Sequence, residues 1–296
     1  MLKLKTKIAG FYKIEAVNKN GAKRLLADWF PNLITNGGLD QIGVDTNYLD
    51  YCHVGSGSAV PAFTDTGLTS WIAQTNSVSN TSGITGASPY YSWYTKVYSF
   101  GLGVAAGNLS EVGVGWSASN GYLFSRALIL DGVGNPTTIT VLSDEYLYVT
   151  YMFRRYICEV DTGGTVDIAG TTYTFVGRCA NADSISSWPA IFAYDSESSN
   201  QRILYVYDGA IGAIDAAPSG SNVYTSTYSI SAYVLGNHYT DWRYSFSLIQ
   251  GNLTNGISAM KAVVCGGQFQ FGITPDIPKT SDDIMSLTFR ASWDRA

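Results

Sequence analysis

Tyr146-Leu147-Tyr148-Val149-Thr150-Tyr151-Met152-Phe153 is an unbroken run of aromatic, β-branched and other large side chains, with no glycine, proline or charge. Eight such residues are short for a buried helix, and their composition argues for a strand. Both alternating sets are bulky, so the run predicts a strand covered on both faces, in a sandwich or against a neighbouring subunit. It extends without a turn signal to residue 159.

Working outward, strands are predicted upstream over 90–100, 111–116, 122–130 and 137–141. In Glu111-Val112-Gly113-Val114-Gly115-Trp116, apolar and small positions alternate, which predicts one packed face and one face closely approached by a neighbour. Nearer the start, 8–17 and 22–29 flank Asn18-Lys19-Asn20-Gly21 and read as a hairpin. Leu39 and Ile42 lie one helical turn apart, with Gly43 as a stop, so a short helix is expected there. Residues 48–54 read as a strand followed by a Gly/Ser loop, and 65–74 as a short helix or irregular structure. The Ser/Thr/Asn/Gly-rich stretch 75–88 reads as an exposed loop or one ordered by a neighbour.

Downstream, strands are expected over 165–168, 171–178, 203–207, 224–235, 243–250, 259–264, 268–273 and 286–293. Many short strands separated by Gly- and Ser-rich turns predict an all-β fold. The expected architecture is a mainly antiparallel β-sandwich or jelly-roll-like arrangement, with one or two short helices near the N-terminus. Asp161-Thr162-Gly163-Gly164 marks a boundary. It suggests a β-rich domain over 1–160, completed by a C-terminal strand at 281–296, and a second β-rich module over 161–280.

Composition narrows the function classes. Charged residues make up 14% of the chain, against about 25% in an average protein. Low charge density leaves less surface repelling neighbours and suits a protein built into an assembly. A net charge of −5 argues against a nucleic-acid binder. Lys3, Lys5 and Lys7 alternate as on one solvated strand face. No segment has the length and apolarity of a signal peptide or membrane span. Cys52, Cys158, Cys179 and Cys265 are widely spread, and with His53 and His238 they lack the close pairs of a zinc site. Buried free thiols are expected, and a Cys158–Cys179 disulfide stays open.

No catalytic, cofactor-binding or metal-binding set emerges, so a non-enzymatic role is expected. Gly101-Leu102-Gly103 has the wrong spacing for a dinucleotide loop, and Gly55-Ser56-Gly57-Ser58 is not a nucleophile elbow. Neither histidine has a triad setting. Asp195 and Glu197, with Asp208 and Asp215 nearby, are the carboxylates to consider for glycan hydrolysis. Asp195-Ser196-Glu197-Ser198-Ser199-Asn200 nevertheless has the composition of a solvated turn. Tyr90, Tyr91, Trp93 and Tyr94, and separately Tyr239 and Trp242, are candidate interface or glycan-contact aromatics. Arg126 stands in an otherwise apolar strand. If buried it needs a counter-charge, for which Glu111 and Asp131 are candidates.

Several segments taken in order resemble a family of bacteriophage virion structural proteins described as minor tail or tail-associated proteins. They are Asn32-Leu33-Ile34-Thr35-Asn36-Gly37-Gly38-Leu39-Asp40-Gln41-Ile42-Gly43, Val54-Gly55-Ser56-Gly57 with Pro61 and Thr66-Gly67-Leu68, and Gly107-Asn108-Leu109-Ser110-Glu111-Val112-Gly113-Val114-Gly115. Leu123-Phe124-Ser125-Arg126-Ala127-Leu128-Ile129 and Gly134-Asn135-Pro136-Thr137-Thr138-Ile139 follow, and then Phe271, Pro275, Pro278-Lys279-Thr280 and Ser292-Trp293-Asp294-Arg295. Residues 180–240 carry little of the resemblance, and order and spacing make the case.

The resemblance implies an assembly role in the virion, with copies of the chain and other phage structural proteins as partners and no catalytic residues to transfer. The expected location is the tail (baseplate, collar or fibre attachment), assembled in the host cytoplasm. A capsid decoration protein, or a tail protein that binds or degrades host surface glycan, are the alternatives. Neither nucleic-acid binding nor membrane insertion is expected.

Overall fold

A computed structural model describes residues 1–157, 159–182, 202–264 and 267–296. In chain order the elements are β1 (Leu2–Asn18), β2 (Lys23–Pro31), β3 (Leu33–Ile34), α1 (Asn36–Val44), β4 (Tyr51–Gly55), β5 (Trp71–Thr75), β6 (Val78–Ile84), β7 (Tyr91–Phe100), β8 (Gly107–Leu109), β9 (Glu111–Gly115) and β10 (Leu123–Leu128). They continue with β11 (Ile139–Val141), β12 (Glu145–Ile157), β13 (Thr162–Ile168), β14 (Thr171–Cys179), β15 (Ile203–Tyr207), β16 (Asn222–Thr225), β17 (Tyr228–Ile230), β18 (Tyr239–Phe246), β19 (Ile257–Val264), β20 (Gly267–Ile277) and β21 (Met285–Arg295). The protein is therefore all-β, with one short helix among the described residues.

The strands form an eight-stranded sheet of order β17-β18-β21-β1-β12-β7-β6 with β2 paired to β1, a five-stranded sheet β3-β10-β9-β4-β5, a β11-β8 pair, and a six-stranded sheet β13-β14-β20-β19-β15-β16. The chain divides into two compact units. Unit 1 comprises Met1–Lys7, Gly83–Ser92 and Arg155–Asp294, and unit 2 comprises Ile8–Ser82, Trp93–Arg154 and Arg295–Ala296. The five-stranded sheet belongs to unit 2 and the six-stranded sheet to unit 1.

Period-two burial explains the strands. Along β1, Leu2, Leu4, Thr6, Ile8, Gly10, Tyr12, Ile14 and Ala16 are buried, while the alternate residues are exposed or half-buried. The hairpin to β2 closes through Asn18, whose Oδ1 accepts the amides of Asn20 and Ala22. Gly21 takes the left-handed conformation the turn needs, with φ +86°.

Within the chain β12 is covered fully on one face only. Leu147, Val149, Tyr151 and Phe153 are buried, whereas on the other face Thr150 is buried, Tyr148 and Met152 are half-buried and Tyr146 is exposed. Phenol and thioether side chains tolerate partial solvation, so a bulky run does not by itself require cover on both faces. The stretch 75–88 departs from expectation. It contains the strand β6, because an edge strand beside β7 needs backbone partners more than apolar side chains. The expected strand 224–235 divides into β16 and β17, and 71–75 is strand rather than helix.

α1 starts from Thr35, whose Oγ1 accepts the Gly38 amide at 2.8 Å. The same hydroxyl donates to the Leu123 carbonyl at 2.6 Å, tying the helix start to β10. A Cβ on Gly38 would stand 2.1 Å from the Phe124 carbonyl oxygen, so only glycine permits this approach. Gly43 lies on the buried face of the last turn rather than beyond it, and Asp45 is the C-cap.

Candidate functional site

The sheet of unit 2 holds a buried charge cluster. β9 and β10 pair antiparallel, with Arg126 opposite Gly113 and Leu128 opposite Glu111. Arg126 and Glu111 are thus diagonal neighbours, close enough for long side chains to meet. A Cβ on Gly113 would stand 3.0 Å from the Leu123 side chain and from the Ser125 carbonyl oxygen, and one on Gly115 2.0 Å from the Tyr122 carbonyl oxygen. The close approach expected on the glycine face of β9 is this one.

Arg126 is 2% exposed and Glu111 is fully buried. The guanidinium donates to Glu111 Oε2 from Nε at 3.1 Å and from Nη2 at 2.8 Å. Nη1 donates to Asp65 Oδ2 at 2.6 Å, and Nη2 also reaches the Ala59 carbonyl and Thr69 Oγ1. Glu111 accepts three backbone amides besides: Gly57 and Ser70 on Oε1, at 3.0 and 2.7 Å, and Thr69 on Oε2 at 3.1 Å. A buried carboxylate is tolerated when its lone pairs are filled in this way.

Every one of these partners outside β9 and β10 lies on the loop 56–70. Its base is closed by Ser56 donating to the Ser70 carbonyl and by Ser110 bonding Gly55 and Gly57. Asn120 grips Leu68 at both backbone amide and carbonyl. A Cβ on Gly57 would sit 2.3 Å from Glu111 Oε1, so the glycine is what admits the carboxylate. The loop is therefore fixed from beneath, yet it carries Val60 81% exposed and Phe63 50% exposed. The Phe63 ring lies under the Arg295 guanidinium, 4.1 Å from its centroid. Chemically the cluster holds a loop in one shape and presents its apolar groups to solvent.

Asp131, the other candidate counter-charge, does not meet Arg126. Its Oδ1 accepts the amides of Val133 and Asn135 within its own turn, which hold its carboxyl below the usual range. Asp65, which completes the cluster, lies 61 residues from Arg126 in a segment without periodicity, and nothing local marks it.

The aromatic candidates separate by strand parity. Tyr94 is 5% exposed and Trp242 3% exposed, so neither is a surface contact. Alternation along β7 and β18 turns them inward with Tyr98 and Tyr244. Tyr91, Trp93 and Tyr239 are half-buried on the opposite faces of those strands. Tyr91 packs on Tyr156, with ring centroids 5.2 Å apart, and Tyr239 lies beneath Arg290 at 3.6 Å. Tyr90 packs against Ile157, Cys179 and Ala182, and its amide donates to Glu159.

Asp195 and Glu197 lie outside the described residues. In unit 1 Asp208 accepts the Ser221 amide and Asp215 is exposed. Cys52 and Cys179 are buried free thiols; Cys158 and Cys265 lie outside the described residues. Among the described residues there is no cluster of metal-ligating side chains and no helix long and apolar enough to cross a membrane.

One buried hub in unit 1 escaped the sequence reading. Gln270 is fully buried; its Nε2 donates to the carbonyls of Cys179 at 3.0 Å and Ala213 at 2.8 Å, and its Oε1 accepts the Gly212 amide at 2.8 Å. It fastens the 209–217 loop beside a cleft of about 500 Å³ lined by Asp208, Ile211 and Asp276. Comparison with protein-family models, with curated proteins and with solved structures found no match to this chain.

Proposed function

We propose that the chain is a structural subunit of a bacteriophage virion, a component of the tail that acts through contacts with copies of itself and with other structural proteins. The observation that carries this reading is the locked loop 56–70, held by a buried Arg–Glu–Asp cluster while Val60 and Phe63 stay open to solvent. Rigid presentation of apolar groups lowers the ordering cost of docking, and such groups suit the core of a subunit interface. The segments that resemble phage virion proteins also converge here. Val54-Gly55-Ser56-Gly57, Ser110-Glu111 and Arg126 supply the cluster, and Thr35 to Gly38 brace the adjoining strand β10. The reading assigns the chain no catalytic step.

The test is gold-labelled antibody localisation on purified particles of the phage that encodes the chain. Label at one defined level of the tail is the expected result. Label over the head would move the chain to capsid decoration, and particles without label would overturn the assignment.

A further inference from the structure

The face of the largest sheet opposite its core, within unit 1, has a charge balance unlike the rest of the chain. Strand order places β18, β21 and β1 side by side. Lys3, Lys5 and Lys7 are all exposed on one side of β1, because Leu2, Leu4, Thr6 and Ile8 occupy the other. On the same open side stand Arg290 of β21 and Arg243 of β18. The carboxylates there are Asp241, which binds Arg290 through two hydrogen bonds of 2.8 Å, and Asp294. Five cations against two carboxylates leave a surplus of three positive charges on a chain whose net charge is −5. Arg178, beside Lys3 and Lys5 at the rim, is already paired with Asp161.

We infer that this face binds an acidic polysaccharide, a chain of sugars bearing carboxylates or phosphates. Two features select that ligand. The surplus charge lies in rows on adjacent strands, with alternate lysines of β1 about 7 Å apart, so it matches an extended polyanion better than a compact anion. The face also offers a hydroxyl between the cations, at Thr288, and the half-buried Tyr91–Tyr156 pair on the neighbouring strands β7 and β12. Sugar hydroxyls and ring faces use such groups, and free amines alone would not distinguish them.

The test uses the full chain and three probes at low ionic strength: polygalacturonate, neutral dextran and an oligothymidylate. Expected are binding to polygalacturonate that weakens with added salt, none to dextran, and weaker binding to the oligonucleotide. The triple variant K3Q/K5Q/K7Q should bind polygalacturonate about tenfold less tightly, with an unchanged circular dichroism spectrum because all three side chains are exposed. Arg243→Gln is an independent probe on a different strand, with an expected loss of about twofold to threefold. No retention on polygalacturonate, equal retention on dextran, tighter binding of the oligonucleotide, or unchanged affinity in both variants would each overturn the inference.

Discussion

Two loops, one in each unit, are fastened by a buried polar side chain from the sheet beneath them, and they use opposite chemistry. In unit 2 a charged fork, Arg126, with Glu111 and Asp65 holds loop 56–70. In unit 1 a neutral amide, Gln270, holds loop 209–217 through backbone carbonyls and an amide. The amide matches peptide groups donor for acceptor and brings no charge out of water. The guanidinium must be neutralised by carboxylates that are themselves desolvated, so its cluster stands or falls as a set. The charged lock is thus the more fragile to single substitution, and it is the one beneath the exposed apolar loop.

The largest effect should follow from breaking the charged lock. Arg126→Met removes the cation that pairs with the buried Glu111 carboxyl, with an expected loss of about 3–5 kcal/mol. Amide hydrogen exchange should accelerate at Gly57, Thr69 and Ser70 and stay unchanged at Gly212. Uniform protection at all four would break the comparison. Next in size, Gln270→Ala strips partners from the Gly212 amide and the Cys179 and Ala213 carbonyls, with an expected cost of about 2–3 kcal/mol. Faster exchange should then be confined to the 209–217 loop, and chemical denaturation should show the smaller shift of the two variants.

A pH effect sharpens the contrast, since a buried histidine of β4 bonds Trp71 where loop 56–70 ends. His53 is buried; its Nδ1 accepts the Trp71 indole N–H at 3.2 Å and its Nε2 donates to the Ser117 carbonyl at 3.0 Å. Burial pushes its pKa below the ordinary 6.5. The neutral form is therefore favoured in the fold. The unfolded chain binds the proton first as pH falls through about 6.5, so stability is complete above that value and declines below it until the folded form also protonates. The slope reaches about 1.4 kcal/mol per pH unit at most. His53→Gln should flatten that limb of the stability profile, and an unchanged limb would assign the acid sensitivity elsewhere. The smallest effect on the free chain belongs to Phe63→Ser with Val60→Ser, within about 0.5 kcal/mol. On the reading proposed above, incorporation into particles should nevertheless fall, which quantitative blotting of purified virions would measure.

The Arg126–Glu111 pair was visible in the sequence because its strands are joined by a short turn and a lone arginine in an apolar strand advertises its need. Asp65 was not visible: its role depends on where an aperiodic loop returns. Gln270 was hidden for a further reason. Alternation with Phe269 and Phe271 places it on the face opposite theirs, which reads as solvent, and the 209–217 loop covers it there. Parity does turn Trp242 inward, since it alternates with Asp241 and Arg243, but on β7 Tyr94 shares its face with Ser92 and Lys96, so its burial is set by packing.

The sequence by itself determined the all-β class, the first hairpin with its Asn-rich turn, the short helix and the close approach at Gly115. Each follows from side-chain periodicity or from glycine's missing Cβ, which act over a few residues. Tertiary structure alone decided that β12 has one half-open face, that the polar stretch 78–84 pairs as an edge strand, and that loops 56–70 and 209–217 are locked from below. Those outcomes depend on which distant backbone arrives to fill a hydrogen bond or cover a face. That is set by the packing of whole sheets rather than by neighbouring residues.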